Sequence, residues 1–214
     1  MDTIELSLFF SIFIQIITIV LNIFSIFITT AKPILNKLLS LELLVQFIEG
    51  SFYLYWYHNF KVIKDITPFR YVDWAISTPA MLITLILYIS NPNKKSNVSW
   101  LSLLSKDISW IPIVLILNWL MLYLGYLGEI NIISVPMAVL LGFIPFVIYF
   151  SIIYFFYVKE YNTGYNLFYY FLFFWSLYGF AALLPYNTKN SIYNILDLFS
   201  KNFFVVYLFY QTFF

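Results

Sequence analysis

The stretch RYVDWAISTP, residues 70–79, sets an arginine and an aspartate three positions apart in an otherwise apolar segment. An ionisable side chain at the centre of a membrane helix costs about 2.5 to 3.5 kcal/mol on insertion scales. Such a residue therefore usually has a partner or a functional task. Arg70 and Asp73 accordingly mark this segment as the first candidate for the chemistry of the chain.

The composition around this stretch is that of a membrane protein. Of the 214 residues, 63% are hydrophobic and only 10% are charged, against roughly 25% charged residues in ordinary soluble domains. Seven apolar segments have the length of about 20 residues that a helix needs to cross a bilayer. They cover 4–29, 34–57, 66–90, 99–124, 131–158, 164–184 and 190–213. We therefore predict an all-α membrane protein, a single seven-transmembrane-helix bundle over residues 1–214.

Charged residues near the predicted helix ends predict the orientation. The segment MDTIE at residues 1–5 lacks the basic region and the cleavage site of a signal peptide, so we expect the first helix to remain in the mature protein. By the positive-inside rule, the N-terminus is expected outside and the C-terminus in the cytoplasm. The lysines on the predicted cytoplasmic side are Lys32, Lys37, Lys94, Lys95 and Lys159, against Lys61, Lys64 and Lys189 on the other side.

Composition also excludes several classes of function. The chain has no cysteine, which excludes disulfides, thiolate metal sites and a catalytic cysteine. A formal net charge of +1 provides no basic field for nucleic acid. We therefore expect the lipid bilayer as a partner, and neither a metal cofactor nor a nucleic acid.

The predicted last helix carries a lysine in an unusual position. In the stretch LDLFSKN, Asp197 and Lys201 stand four residues apart, so both project from one face and could form a simple ion pair. Lys201 lies near the middle of its helix, however, and a lysine held away from water is the side chain that forms Schiff bases with aldehydes. A protonated Schiff base needs a buried anion, which Asp197 or Asp73 could supply. Arg70 would then offset the second negative charge.

Together, RYVDWAISTP and LDLFSK (196–201) resemble the microbial (type 1) rhodopsins, seven-helix proteins that bind retinal on a lysine of the last helix. The resemblance implies all-trans retinal on Lys201, Asp73 as primary counterion and proton acceptor, and Asp197 as second counterion. It implies Arg70 as the gate to the extracellular half. The stretches NWLMLYLG (118–125) and WSLY (175–178) extend the match. The retinal contacts that it implies are Tyr71, Trp74, Ser77, Thr78, Asn118, Met121, Gly125, Trp175 and Tyr178.

Departures from this family pattern bear on the activity. Outward proton pumps of the family normally have a carboxylate where Thr84 stands, and threonine cannot supply a proton at physiological pH. Lys189 stands where an acid of the proton-releasing pair is expected, so efficient pumping is disfavoured. Asp73 disfavours chloride pumping, and the third helix lacks the residues of sodium pumps. Gly179 and Ala182 stand where a proline and a tryptophan are common in the family, which implies a looser pocket, or a sixth helix that is straighter or hinged differently.

Polar residues recur at helical spacing on three predicted helices that are neighbours in the seven-helix order. Facing polar stripes could line a water-filled path whose acidic side chains favour cations. They could also act as glue between helices, with each hydrogen bond worth about 0.6 kcal/mol. The stripes are Ser7, Ser11, Gln15, Thr18 and Asn22 on the first helix, Glu42, Gln46 and Glu49 on the second, and Asn190, Asn194, Asp197 and Lys201 on the last.

The stretches SIFIQ (11–15), ELLVQFIEG (42–50) and NILD (194–197) are similar to the viral rhodopsins of large DNA viruses of algae and protists. The group without the internal proton donor is associated with light-gated cation conductance and calcium sensitivity. The resemblance implies a constriction formed by Ser11, Gln15, Glu42, Glu49 and Asn194.

We therefore expect a light-gated cation channel rather than an enzyme. Its ions would be monovalent cations or protons, with calcium as a further candidate, and an oligomer is compatible with the sequence. The alternatives are a weak outward light-driven proton pump, a sensory photoreceptor without ion transport, and a structural membrane protein that binds no retinal.

Overall fold

The computed structural model describes residues 3–29, 31–93, 99–106 and 110–213, with the side chains of residues 105 and 106 left aside. Within these ranges every regular element is helical. The helices are α1 (Thr3–Ile28), α2 (Pro33–His58), α3 (Thr67–Ser90), α4 (Trp100–Lys106), α5 (Ile111–Glu129), α6 (Val135–Tyr161), α7 (Tyr165–Ala181) and α8 (Tyr186–Tyr210). Single π-helical turns interrupt α6 at Tyr154–Val158 and α8 at Leu198–Asn202.

The described residues include six helices that are long and apolar enough to cross a membrane, and α7 with 17 residues is the seventh. The predicted seven-helix class is therefore confirmed. The predicted fourth segment, 99–124, corresponds to the short α4 together with α5. In α3, 67% of the most apolar window is buried, against 28% in α1. α3 therefore runs through the middle of the bundle, where Arg70 and Asp73 are shielded from lipid.

Prolines and one glycine explain several helix boundaries. α2, α3, α5 and α6 each have a proline in their first turn, where the missing N–H would have no helical partner anyway. Asn162 leaves α6 in the left-handed conformation, with φ of 50°. Gly164 has φ of 71°, and a Cβ there would lie 2.6 Å from Cγ1 of Ile89. Only glycine fits this tight connection between α6 and α7 without displacing α3.

Two of the three apolar clusters among the described residues lie at different depths of the bundle. The larger one joins residues of α2 to α8, with Phe171 of α7 packed edge-on against Phe204 of α8 at 4.8 Å between ring centroids. The smaller one joins the start of α1 to the end of α2 around Trp56. The region between the two clusters contains the ionisable residues, so apolar packing closes off both sides of the charged layer.

The basic residues at the helix ends share the sides that the sequence predicts. Lys32 donates a hydrogen bond to the Gln211 carbonyl at 2.7 Å, so it lies at the same end of the bundle as the last residues of α8. Lys94 and Lys95, which the orientation prediction also used, lie outside the described residues. Which of the two ends faces the cytoplasm stays a prediction.

Candidate functional site

The ionisable residues of three helices meet at Lys201. Its Nζ donates a hydrogen bond to Oδ2 of Asp73 at 2.8 Å and lies 3.7 Å from Oδ1 of Asp197. All three side chains are buried, with at most 4% of their surface exposed. The structure therefore brings together the lysine and both aspartates that the sequence singled out, across helices α3 and α8.

The backbone at Lys201 is not an ordinary helix. Lys201 lies in the π-helical turn Leu198–Asn202, which begins directly after Asp197. A π-helical turn inserts one extra residue per hydrogen-bonded ring, and such turns occur often at functional sites. The turn aims Lys201 at α3 while Asp197, one turn earlier, stays on the same face.

Asp197 is held by hydroxyl and guanidinium donors from three helices. Tyr53 of α2 and Tyr178 of α7 each donate a hydrogen bond at 2.6 Å, to Oδ2 and Oδ1 respectively. Nη1 of Arg70 lies 3.4 Å from Oδ2. Asp197 is therefore fixed in the cluster by donors from α2, α3 and α7.

Arg70 is fully buried and saturated with partners. Its Nε donates to Oδ1 of Asn190 at 2.8 Å, and its Nη2 donates to Oδ1 of Asn194. Four aromatic rings surround the guanidinium, the nearest being that of Trp56, with 4.9 Å between its centroid and Cζ. Cation–π contact with desolvated rings adds to these hydrogen bonds. Arg70 thus closes the bundle on the side of Trp56.

A third carboxylate approaches Lys201, and the sequence did not predict this contact. Oε1 of Glu49, on α2, lies 3.7 Å from Nζ of Lys201. The sequence assigned Glu49 to a polar stripe of α2 because of its spacing from Glu42. The contact depends on how α2 and α8 pack, which helical periodicity within one segment does not reveal.

A cavity of about 120 Å³ extends from Lys201 into the apolar half of the bundle. Trp74 of α3 forms part of its wall and packs edge-on against Tyr178 and Tyr193, with 5.5 and 5.1 Å between ring centroids. The cavity is thus apolar and aromatic along its length and ionic at the lysine end. This is the arrangement that a long apolar ligand with one reactive polar end requires.

Most residues predicted to contact retinal line this cavity, and two do not. Ser77 instead donates a hydrogen bond to the Asp73 carbonyl at 2.9 Å, within α3. Asn118 lies behind Thr78 and donates to its hydroxyl at 2.7 Å, so it positions a wall residue without being one. The predicted residues that line the cavity are Tyr71, Trp74, Thr78, Met121, Gly125, Trp175, Tyr178 and Lys201.

Glycines and alanines shape the wall that α5, α6 and α7 contribute. A Cβ on Gly125 would lie 2.7 Å from Oη of Tyr71, and a Cβ on Gly179 would lie 2.8 Å from the ring of Phe143. Both rings therefore pack directly against helix backbone. Sequence reasoning missed Phe143 and the other α6 residues because an apolar residue in an apolar helix carries no individual signal. The cavity-lining residues of α6 are Ala138, Val139, Gly142, Phe143 and Phe146.

The polar stripes of α1, α2 and α8 do face one another. Ser11 donates to the Asn194 carbonyl at 3.2 Å, and Nε2 of Gln15 donates to the Gln46 carbonyl at 2.8 Å. Nδ2 of Asn22 donates to Oε1 of Gln46 at 3.2 Å. These bonds match the interpretation of the stripes as glue between helices, and the side chains leave little open space between them.

Part of this polar network nevertheless has no protein partner. Seven buried side-chain atoms on the stripes, and one more on the neighbouring Asn202 of α8, accept or donate no hydrogen bond within the described part of the chain. Buried polar groups without protein partners are normally hydrated, since leaving them unsatisfied is costly. The atoms are Oε1 of Gln15, Oδ1 of Asn22, both oxygens of Glu42, Nε2 of Gln46, both oxygens of Glu49 and Nδ2 of Asn202.

Lys189 and Thr84, which depart from the family pattern, each lie beside a glutamate. Lys189, at the start of α8, donates to Oε2 of Glu129 at 2.6 Å and forms a largely buried ion pair. Thr84 donates to the Ala80 carbonyl and is the polar neighbour of Glu42 on α2. Thr84 leaves α3 without an acid at this position, but Glu42 provides one beside it on α2.

The comparisons with known proteins agree with this geometry. The family model of bacteriorhodopsin-like proteins matches residues 6–213. The solved structure of viral rhodopsin OLPVRII is similar with 30% identity and a TM-score of 0.85, over 100% of both chains. The chain matches no curated protein.

More distant solved structures share the fold alone. A blue light-absorbing proteorhodopsin from Med12 is 20% identical with a TM-score of 0.75, over 99% of this chain and 96% of its own. A thermophilic rhodopsin is 19% identical with a TM-score of 0.78, and the match covers 98% of this chain and 92% of the thermophilic rhodopsin.

Proposed function

The chain belongs to the bacteriorhodopsin-like family of light-driven retinal proteins, and we propose that it is a light-gated cation channel that carries all-trans retinal on Lys201. The family binds retinal on a lysine, and the apolar and aromatic residues that line the cavity at Nζ of Lys201 suit an apolar polyene. When bound, retinal would supply light absorption and a photoisomerisation of its polyene chain. Trp74, Trp175 and Tyr178 would hold it on either side, and the protein would supply orientation and charge.

The residues around Lys201 account for movement of a proton. Asp73 lies 2.8 Å from Nζ and is the acceptor best placed for a proton that leaves this nitrogen. Asp197 already accepts from Tyr53 and Tyr178 and faces Arg70, so its oxygens are less available than those of Asp73. The hydrogen bond from Nζ of Lys201 to Asp73 places donor and acceptor within transfer distance.

The observation that carries the channel proposal is the set of seven buried polar atoms without hydrogen bonds on the stripes of α1 and α2, which face the stripe of α8. In a bilayer, such atoms need water or ions, because lipid offers no hydrogen bonds. Glu42 and Glu49 provide acidic oxygens on this line, which suits cations. All five proposed constriction residues are buried, and three of them, Ser11, Gln15 and Asn194, form hydrogen bonds across helices. Ser11, Gln15, Glu42, Glu49 and Asn194 remain the proposed constriction.

The proposed arrangement in the membrane completes this function. The N-terminus would lie outside and the C-terminus in the cytoplasm, so Arg70 and its aromatic rings would close the extracellular side. Residues 1–214 would form one retinal-binding domain. The transported ions would be monovalent cations or protons, with calcium as a further candidate.

Voltage-clamped photocurrents with ion substitution test the channel directly. A channel current reverses close to the cation equilibrium potential, which moves by up to about 59 mV for a tenfold change in a monovalent cation. The variant Glu42→Gln should lower the current several-fold, because it removes an acid from the path. Glu160→Gln removes the same charge from the exposed end of α6 and should leave the current unchanged. A current that never reverses, or equal effects of the two variants, would exclude this path.

One observation favours the alternative of a weak outward proton pump. Pumping requires an internal acid that returns a proton to the lysine nitrogen, and Thr84 cannot serve. Glu42 is buried beside Thr84 and lies on the same side of Lys201, so it offers a carboxyl group for this task. A pump would give a steady photocurrent at zero voltage without an ion gradient, and Glu42→Gln would slow its cycle. The photocurrent of a channel reverses with voltage and that of a pump does not, so this measurement distinguishes the two proposals.

A further inference from the structure

The hydrogen bond between Lys201 and Asp73 joins two helices whose backbones are both irregular close to it. α3 contains Pro79 one and a half turns after Asp73, and α8 has the π-helical turn Leu198–Asn202 around Lys201. Each irregularity interrupts the ladder of backbone hydrogen bonds, so a carbonyl close to each charged residue needs another partner. Lipid cannot serve, because it has no hydrogen-bond donors.

On α3, the affected carbonyl is that of Ala75, four residues before Pro79. Proline has no N–H, so the usual donor to this carbonyl is missing. Nε1 of Trp119, on α5, donates to it at 2.8 Å. Trp119 stands in the middle of α5 with 46% of its surface exposed, where its N–H would otherwise face lipid. The contact therefore satisfies a donor and an acceptor that lack partners within their own helices.

On α8, the spacing of the backbone hydrogen bonds widens, because the N–H of Phe203 donates five residues back, to the Leu198 carbonyl. Where the α-helical spacing of four residues resumes, one carbonyl is passed over. The next carbonyl, that of Phe199, accepts from Oη of Tyr170 on α7 at 2.7 Å. Phe174 of α7 packs against both residues, with 4.6 Å between its ring centroid and that of Tyr170, and 4.8 Å to that of Phe199.

The two contacts lie equally close to the charged pair. Ala75 is two residues after Asp73, and Phe199 is two residues before Lys201. Their donors come from α5 and α7, which also enclose the cavity. The distance of 2.8 Å between Nζ of Lys201 and Oδ2 of Asp73 therefore depends on two backbone segments that neighbouring helices hold in place.

We propose that Trp119 and Tyr170 are positioning residues that set this distance by holding the irregular segments of α3 and α8. Neither is among the residues that line the cavity, so they act through the backbone rather than by touching a ligand. The inference rests on the proposed function only for its visible readout, because both hydrogen bonds are present with the free lysine.

Infrared spectroscopy of the retinal-free protein tests the contact on α3. With carbon-13 at the carbonyl of alanine, only six residues carry the label, and Ala75 is one of them. Trp119→Phe keeps an aromatic ring but removes the N–H, and a carbonyl that loses its donor should absorb at higher wavenumber. Trp100→Phe, at an exposed tryptophan of α4, is the control and should leave the labelled band in place. An unchanged band in Trp119→Phe would overturn the proposal.

Pro79→Ala separates the hydrogen bond from the packing of the indole ring. This substitution returns an N–H to position 79, which can donate to the Ala75 carbonyl. In the Pro79→Ala background, Trp119→Phe should therefore shift the labelled band much less. Equal shifts in the two backgrounds would assign the effect to packing and refute the role of the hydrogen bond. If Trp119→Phe does not fold alone, the double variant should fold, and its failure would count equally against the proposal.

The absorption maximum after retinal binding tests the consequence for the site. A negative charge beside the nitrogen stabilises the ground state more than the excited state, so a more distant Asp73 should move the absorption to longer wavelength. We expect this shift in Trp119→Phe and in Tyr170→Phe. Tyr169→Phe removes the hydroxyl of the exposed neighbour and should leave the maximum in place. Wild-type maxima in both variants would contradict the positioning role. If the wild type forms no pigment, the proposed function fails, and the infrared result still decides whether Trp119 holds the Ala75 carbonyl.

Discussion

The hydroxyl of Tyr53 offers a sharp test of how the charged layer is held. It donates to Oδ2 of Asp197 at 2.6 Å, and both side chains are buried. In Tyr53→Phe, Oδ2 would keep only Nη1 of Arg70, at 3.4 Å. The other oxygen would keep its bond from Tyr178, so Asp197 would stay charged with one good donor fewer.

The loss of stability expected for Tyr53→Phe follows from the type of hydrogen bond that is removed. Hydrogen bonds to charged groups contribute about 1.5 to 3 kcal/mol to stability. For a chain of this length, 1 kcal/mol corresponds to a change of about 2 to 4 °C in the unfolding temperature. Tyr53→Phe should therefore lower the unfolding temperature of the retinal-free protein by about 3 to 12 °C.

Thermal unfolding followed by circular dichroism in one detergent would measure this. Tyr149→Phe is the matched control, because Tyr149 is also fully buried but its hydroxyl contacts only the thioether of Met121, at 3.6 Å. Thioether sulfur is a weak acceptor, so this control should change stability by less than about 0.5 kcal/mol. Equal losses in the two variants would refute the role given to Tyr53, because the loss would then come from removing any buried hydroxyl.

Three further predictions concern other parts of the site. Lys189→Met leaves Glu129 buried without its cation and should cost about 3 to 5 kcal/mol in unfolding free energy. Adding Glu129→Gln should recover part of this loss of unfolding free energy. Strictly additive effects of the two substitutions in a double-mutant cycle would show that Lys189 and Glu129 do not interact. Gly179→Ala pushes a Cβ to within 2.8 Å of Phe143 and should slow pigment formation with added retinal. Gly50→Ala meets only ordinary contacts at 3.6 Å and should form pigment at the wild-type rate. Lys201→Ala should abolish visible absorbance, whereas a pigment that survives would place the attachment elsewhere.

The membrane-spanning helices and the buried ionisable residues could be predicted from the sequence for a physical reason. A bilayer requires long apolar segments, and an ionisable residue inside one is conspicuous because it is expensive. Lys201, Asp73 and Asp197 could therefore be singled out without any knowledge of packing. Asn118 and Ser77 are not among the residues that line the cavity, and their contact with retinal stays a prediction.

The cavity wall and the third acid could not be predicted in the same way. Phe143 and Gly142 belong to a helix that is apolar all round, and only its rotation against α5 and α7 decides which side chains face the cavity. Glu49 was found through its spacing on α2, but its contact with Lys201 depends on the distance between two helices. Periodicity describes one helix at a time, and these features belong to pairs of helices.

Lys201 lies where two unlike halves of the bundle meet. On one side, α3, α5, α6 and α7 enclose an apolar aromatic cavity, and on the other, α1 and α2 turn polar stripes toward α8. The cavity lining includes Lys201 and Asp197 of the α8 stripe but no residue of α1 or α2, so a light-driven change would reach the other two stripes through α8 or the ion cluster. Glu49 belongs to the stripe of α2 and lies 3.7 Å from Nζ of Lys201. Glu49 therefore provides the shortest contact between the lysine nitrogen and the proposed path, and replacing it should alter the photocurrent even where pigment formation is normal.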